Sequence, residues 1–324
     1  MNLQSIRKIA GGVALLCASF VFASQALAAV PLARVIVAKS GGNYTTITAA
    51  LNAITPTADK PYVIEVWPGV YTEKFALKSN VHLKGSGRDV TTIYSATGSI
   101  ITATNLTNVA ISALTISGTS NSTTGIRLIN TKATITDSTV STHGTGIAIE
   151  ENSAATVTGN KILANKWEGI SVFSATATIT GNVISGNGNG PGHDSTGIYC
   201  ERFGSGFLTS PIIKDNIITA NNGHGIEMWD GATPVISGNI ITDNIGAGIK
   251  DFTSGLRAET AISITNNKIV NNGGALIADI MLDLTANYSP LVPNISFNII
   301  GDMSGDAAVG SYNVNSNGDP ILVP

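Results

Sequence analysis

Asn160, Asn182, Asn216, Asn239 and Asn267 recur through the middle of the chain, and five residues after each stands another asparagine: Asn165, Asn187, Asn221, Asn244 and Asn272. A glycine followed by isoleucine then opens the next apolar run, at Gly125, Gly146, Gly169, Gly197, Gly225 and Gly248, with spacings of 21, 23, 28, 28 and 23. A period of about 22 residues with insertions restricts the chain to architectures in which successive coils stack on one another. Between these markers, short β-branched runs alternate with period two and are separated by Asn and Gly turns, the pattern of strands. Three short strands per coil predict an all-β fold, a single-stranded right-handed parallel β-helix or solenoid, with each coil hydrogen-bonded to the next about 4.8 Å away.

The ends of the chain read differently. Arg7 and Lys8 precede an apolar stretch from Ile9 to Phe22, and Ala26-Leu27-Ala28 has the small-x-small spacing of a signal peptidase site. Residues 1–28 are therefore expected to be a Sec-type signal peptide cleaved near Ala28, and the protein to be secreted or periplasmic. Leu16 stands where a lipoprotein leader would carry a small residue before Cys17. The expected organisation is an N-terminal segment over 29–59, the β-helix over 60–310 and a C-terminal tail over 311–324. Ile47, Ala50, Leu51 and Ile54 fall on one helical face, which predicts a short amphipathic helix capping the open end of the coil stack.

Removing Arg7 and Lys8 from the 18 basic residues leaves 16 against 21 acidic ones, a net charge near −5. That balance argues against nucleic acid or an anionic membrane surface as partner. No later segment is long and apolar enough to span a membrane. Cys200 is the one cysteine beyond the leader, so no internal disulfide is expected. A monomer is expected, stabilised by packing.

Alternation within the strands that follow each Gly-Ile pair sorts their residues by direction. The second inward position reads Leu128, Ile149, Val172, Cys200, Met228 and then Asp251, whose charge suggests that the last rung frays or turns. Cys200 is thus expected to be a core thiol and not a nucleophile. One outward column reads Arg127, Ala148, Ser171, Tyr199, Glu227, Lys250; its neighbour reads Ile129, Glu150, Phe173, Glu201, Trp229, Phe252; Arg202 and Asp230 follow. Elsewhere the outward residues are mostly Thr, Ser, Ala and Asn. Aromatic rings on a strand face can stack on the apolar faces of sugars while carboxylates hold hydroxyl groups, so the expected partner is a polysaccharide or cell-surface glycan. Inserts at 188–195, 203–210 and 253–260 fall where walls around that face would stand.

Candidate substrate-binding residues are Tyr199, Trp229, Phe173, Phe252, Glu150, Arg202 and Asp194. Candidate catalytic residues are Glu201, Glu227 and Asp230, followed by His224 and Lys250. Glu201 and Glu227 on neighbouring rungs fit the roughly 5–9.5 Å separation of paired glycosidase carboxylates. His143 takes the place of the second asparagine in its coil and is expected to substitute for it. No cofactor is expected: four scattered histidines argue against a metal site, and calcium would need an aspartate cluster of ligand spacing that the sequence lacks.

From about residue 41 to 300 the repeats resemble those of the pectin-lyase-like superfamily. The opening GNYTTITAALNAI, with YVIEVWPGVYTEKFAL and VHLKGSGRDVTTI after it, is similar to the start of pectin methylesterases. The aspartate-centred Asp-Phe-Ile-Phe-Gly motif of those esterases is absent, so esterase chemistry is not expected. Gly223-His224-Gly225-Ile226 resembles the Gly-His-Gly strand start of polygalacturonase-type hydrolases, and Lys250 falls where that family carries a basic substrate-binding residue. Its paired aspartates would stand near Thr196-Gly197, where this chain has none; Asp194 is two residues earlier. The lyases of the superfamily use a basic residue to abstract a proton beside a uronate carboxylate, for which Arg202, Lys250 and Lys166 are candidates. Two function classes remain open: a polysaccharide-binding hydrolase or lyase, and a noncatalytic surface, adhesion or periplasmic accessory module.

Overall fold

The computed structural model describes residues 32–119, 123–188, 195–203, 207–252, 262–273, 280–282, 294–296, 298–300 and 303–305. The expected signal peptide, the tail over 311–324, Asp194 and the insert at 253–260 lie outside them. The described strands form three sheets, of 11, 10 and 10 strands, and every strand pairs in parallel with the strand one coil away. This is a parallel β-helix, and the chain visits the three sheets in turn.

A strand absent from the sequence reading, Ala33–Val37, opens the stack and pairs with Tyr62–Val66. The helix Ile47–Ala53 follows it, burying Ile47, Ala50 and Leu51 as expected. Both helix ends are closed by the next coil. The Glu73 carboxylate accepts the backbone N–H groups of Ile47 and Thr48 at 2.8 and 2.9 Å, and the Lys78 ammonium donates to the carbonyls of Leu51 and Ile54 at 2.7 and 3.0 Å. Charge of each sign thus sits at the helix end whose dipole favours it. No helix among the described residues is long and apolar enough to cross a membrane.

The interior is a set of aligned apolar columns. Leu128, Ile149, Val172, Cys200 and Met228 stack in the expected register, and each is fully buried. The rung after them does not fray. Ile249–Phe252 remains a strand with Asp251 paired to Met228 and 1% exposed, and the sheet continues through Ile280–Leu282 and Met303–Gly305. Inter-strand hydrogen bonds along both edges of that rung hold the backbone in place, so a carboxylate enters the interior where an aliphatic side chain would otherwise sit.

Two corners of each coil are built by the asparagines. In the first ladder the side-chain carbonyl of each asparagine accepts the backbone N–H of the ladder residue one coil earlier, at 2.9 Å in six successive steps from Ser138 to Asn298. In the second, His143 heads the row Asn165, Asn187, Asn221, Asn244, Asn272 with steps of 3.1–3.2 Å. Corner backbone that no sheet can pair is satisfied in this way, as buried N–H groups require. The Gly-Ile glycines have an equally local cause. A Cβ on Gly125, Gly146, Gly169, Gly197 or Gly225 would lie 2.5–2.7 Å from the carbonyl oxygen of the glycine one coil on, a separation no side chain tolerates.

Candidate functional site

The strands Thr145–Glu150, Ile170–Phe173, Ile198–Glu201, Ile226–Trp229 and Ile249–Phe252 lie side by side in one ten-stranded sheet. Their register reproduces both outward columns: Ser171, Tyr199, Glu227, Lys250 in one and Glu150, Phe173, Glu201, Trp229, Phe252 in the other. Glu201 and Glu227 are therefore diagonal neighbours, with Cα atoms about 8 Å apart from the strand spacing and rise.

Each carboxylate is held by the aromatic residue two positions away on its own strand. The Tyr199 hydroxyl donates to Glu201 Oε2 at 2.6 Å, and Trp229 Nε1–H donates to Glu227 Oε1 at 2.5 Å. The two pairs interlock, since Tyr199 stands beside Glu227 and Glu201 beside Trp229. Burial pushes the Tyr199 phenol well above its ordinary value, and the hydrogen bond to Glu201 and the charges of Glu201, Glu227 and Glu168 push it further. It remains a donor across the physiological range.

Direction and exposure part company at Glu227. Expected on an open face, it is fully buried, because the indole of Trp229 folds over it from the same strand. Glu201 is half-buried. Arg202 is 7% exposed, and Asp230 is half-buried at φ 50° where the chain leaves the strand. Glu150 is taken up by Arg127, whose guanidinium donates to both carboxylate oxygens at 2.7–3.2 Å. Cys200 is fully buried, and burial with the charge of Glu227 raises its thiol pKa, so it is a core residue.

Rings stack along the coil axis because in-register side chains are separated by one strand spacing. Trp229 and Phe252 lie 4.7 Å apart at 23°, the Lys250 ammonium is 4.5 Å from the centre of the Phe252 ring, and His224 meets that ring edge-on at 6.0 Å. One face of Trp229 is thus already covered. His224 Nδ1 accepts the N–H of Ala247 at 2.8 Å, which leaves the ring proton on Nε2. Gly246 makes room for this contact, since a Cβ there would lie 2.6 Å from Nδ1.

Three residues that the sequence reading passed over belong to the same region. Phe203, 69% exposed, stacks on Phe173 at 5.7 Å and presents the largest open ring beside Glu201. Its signal was its place at the start of the 203–210 insert, which also exposes Phe207 and Leu208. Glu168 accepts the Thr145 hydroxyl at 2.8 Å, and Thr196 carries a buried hydroxyl that finds no hydrogen-bond partner among the described residues. Both stand immediately before a Gly-Ile pair, in the column of His224, and hydrogen bonds from Gly169 to Thr196 and from Gly197 to His224 align them.

Among the described residues no group of three or more histidine, cysteine or acidic side chains is arranged to hold a metal ion. Two shallow hollows, about 490 and 330 Å³, lie on the outer face of the 11-stranded sheet and are lined by alanines, threonines and residues such as His82 and Lys132. Neither hollow holds a carboxylate, and the aromatic and acidic residues are on a different sheet.

The family model described as "Right handed beta helix region" matches residues 79–233 and 206–281. A pectinesterase of Aspergillus niger is 39% identical over 82 residues, which span 23% of this chain and about a quarter, 25%, of that relative's length. Among solved structures, the A-module of the mannuronan C-5 epimerase AlgE6 from Azotobacter vinelandii superimposes with a TM-score of 0.57 at 16% identity, covering 84% of this chain and 86% of that one. The pectate lyase Pel9A gives a TM-score of 0.57 at 14% identity, with 91% and 80% covered. At such identities the likeness is one of fold.

Proposed function

The chain belongs to the right-handed β-helix family, with the pectin-lyase-like architecture, and from that premise we propose that it binds a polysaccharide along the outward face of the strands from Ile170–Phe173 to Ile249–Phe252. The observation that carries this reading is the open ring of Phe203, stacked on Phe173 beside a carboxylate whose orientation Tyr199 fixes. A ring offers area to the C–H face of a sugar, and an oriented carboxylate accepts from its hydroxyls. Neighbours of the same fold bear on polysaccharides by name, mannuronan and pectate among them, which supports the substrate class.

Cleavage, by hydrolysis or elimination, would fall to Glu201, half-buried and with Oε1 not engaged by Tyr199. One observation favours the noncatalytic alternative, a surface, adhesion or periplasmic accessory module: both carboxylates accept from aromatic partners within the face itself. Residues 1–28 support action outside the cytoplasm.

The test pairs affinity with product analysis on glycans that the native protein binds. Phe203→Ala removes an exposed ring and should weaken binding about tenfold, near 1.4 kcal/mol. Glu201→Gln should leave affinity within about threefold while abolishing any turnover, since an amide transfers no proton. Binding by the native protein that Phe203→Ala and Trp229→Ala both leave unchanged would remove this face from the function.

A further inference from the structure

The two hollows on the 11-stranded sheet share Ala154 and Thr156, so they form one trough. It runs along the coil axis: His82, Ala110, Thr134, Thr156, Thr178 and Ile212 follow one another in register across five strand intervals, about 24 Å. Ala110 and Ala154 keep its floor low. Each alternates with buried residues on its strand and so points outward, where a methyl leaves open the space a longer side chain would fill.

Two basic residues flank Ala110 at one end of the trough. His82 is its register partner on the preceding strand, and Lys132 lies diagonal to it on the following strand, two residues before its partner Thr134. Both line the larger hollow, and neither side chain makes a hydrogen bond or ion pair among the described residues. No acidic residue lines either hollow. Of the acids at the ends of these strands, Asp137 is paired with Arg88, and Glu151 acts on Arg127, whose pKa its charge helps to raise.

An anionic group over Ala110 would find a donor on either side, and the threonine hydroxyls further along can exchange hydrogen bonds with those of a sugar chain. The length of the trough suits a chain and exceeds what one small anion needs. We propose that it is a second glycan-binding surface, which takes an acidic polysaccharide along the coil axis with a carboxylate or sulfate seated between His82 and Lys132. This surface is on a different sheet from the aromatic face, and the proposal stands whether or not that face binds.

The test is calorimetry on the full chain with hexamers of galacturonate and mannuronate, their carboxyl-reduced neutral counterparts, dextran sulfate and inorganic phosphate, across a salt series. At least one acidic glycan should bind at least about tenfold more tightly than the neutral hexamers, and its affinity should fall as salt screens the attraction. His82→Gln and Lys132→Gln together should weaken that binding about tenfold, a few-fold for each partly exposed charge contact. Ala154→Leu, an outward change that fills the junction of the two hollows, should weaken it at least as much while leaving the melting temperature unchanged, and Phe203→Ala should leave it intact. Failure of every acidic glycan to bind overturns the proposal, as does binding that survives both the paired substitution and Ala154→Leu. Acidic-glycan binding lost in Phe203→Ala but kept in Ala154→Leu assigns it to the aromatic face and overturns the second surface alone. Phosphate that binds as tightly as the acidic glycans reduces the site to a small-anion one and overturns the polymer reading.

Discussion

Replacing Asn216 by alanine tests the ladder at its centre. Its side chain makes four hydrogen bonds at 1% exposure: Oδ1 accepts from the backbone N–H and the amide of Asn182, both at 2.9 Å, and Nδ2 donates to Ile179 O at 2.8 Å and to Asn239 Oδ1 at 2.9 Å. Their losses are unequal. The Asn182 amide keeps Val157 O and Thr180 O, and Asn239 Oδ1 keeps the backbone N–H of residue 216. The Asn182 backbone N–H loses its ladder acceptor inside the protein, where an unmatched donor costs roughly 1–3 kcal/mol. With the bond to Ile179 also gone, the expected destabilisation is about 3 kcal/mol. Urea unfolding followed by circular dichroism measures the total, and hydrogen exchange of the peptide containing Asn182 locates it. Because Asn182 and Asn216 share two of the bonds, the double alanine variant should fall short of additivity by at least about 0.5 kcal/mol. A loss below about 0.5 kcal/mol in Asn216→Ala, the range of ordinary surface substitutions, would refute the claim that the ladder amides hold the corner.

Two further outcomes follow from buried groups. Burial lowers the pKa of His143 to about 4 from 6.5, so between those values the unfolded chain binds the proton that the folded chain refuses. Stability should therefore be unaffected by this group above pH 6.5 and should fall as pH drops toward 4, by up to about 3 kcal/mol; His143→Asn, which continues the ladder, should remove that component from a series of melts at stepped pH. The Cys200 thiol, fully buried, should resist a disulfide reagent in the native protein and react at once in denaturant, and prompt labelling of the folded chain would contradict the stacking of Cys200 on Met228.

The sequence disclosed the coil and the columns because both depend on period alone. Leu128, Ile149, Val172, Cys200 and Met228 could be aligned by counting from each Gly-Ile, and the pairing of strands agrees with that count residue by residue. Period assigns direction, however, and is silent on cover. Glu227 points outward and is nonetheless buried, since an indole two residues away closes over it. Asp251 was misread for the opposite reason: one charge in an apolar column suggested a broken rung, whereas backbone bonds to both neighbouring strands keep the rung whole. Glu168 and Thr196 sit one residue ahead of the positions from which alternation was counted, and Phe203 lies beyond the end of its strand, where no periodicity applies.

The ladders also act as a clock that every turn of the helix resets. Asn160 reaches Asn182 across 22 residues and Asn182 reaches Asn216 across 34, twelve more, yet both contacts are 2.9 Å. Additional chain within a turn therefore leaves no phase error for later turns to inherit. Segments between the ladder positions can lengthen, shorten or be exchanged singly, while the alternation of each strand keeps interior residues out of the exchange. A scaffold of this kind lets recognition be rewritten one loop at a time, and grafting the stretch between Asn187 and Gly197 onto another turn would be a direct use of that freedom.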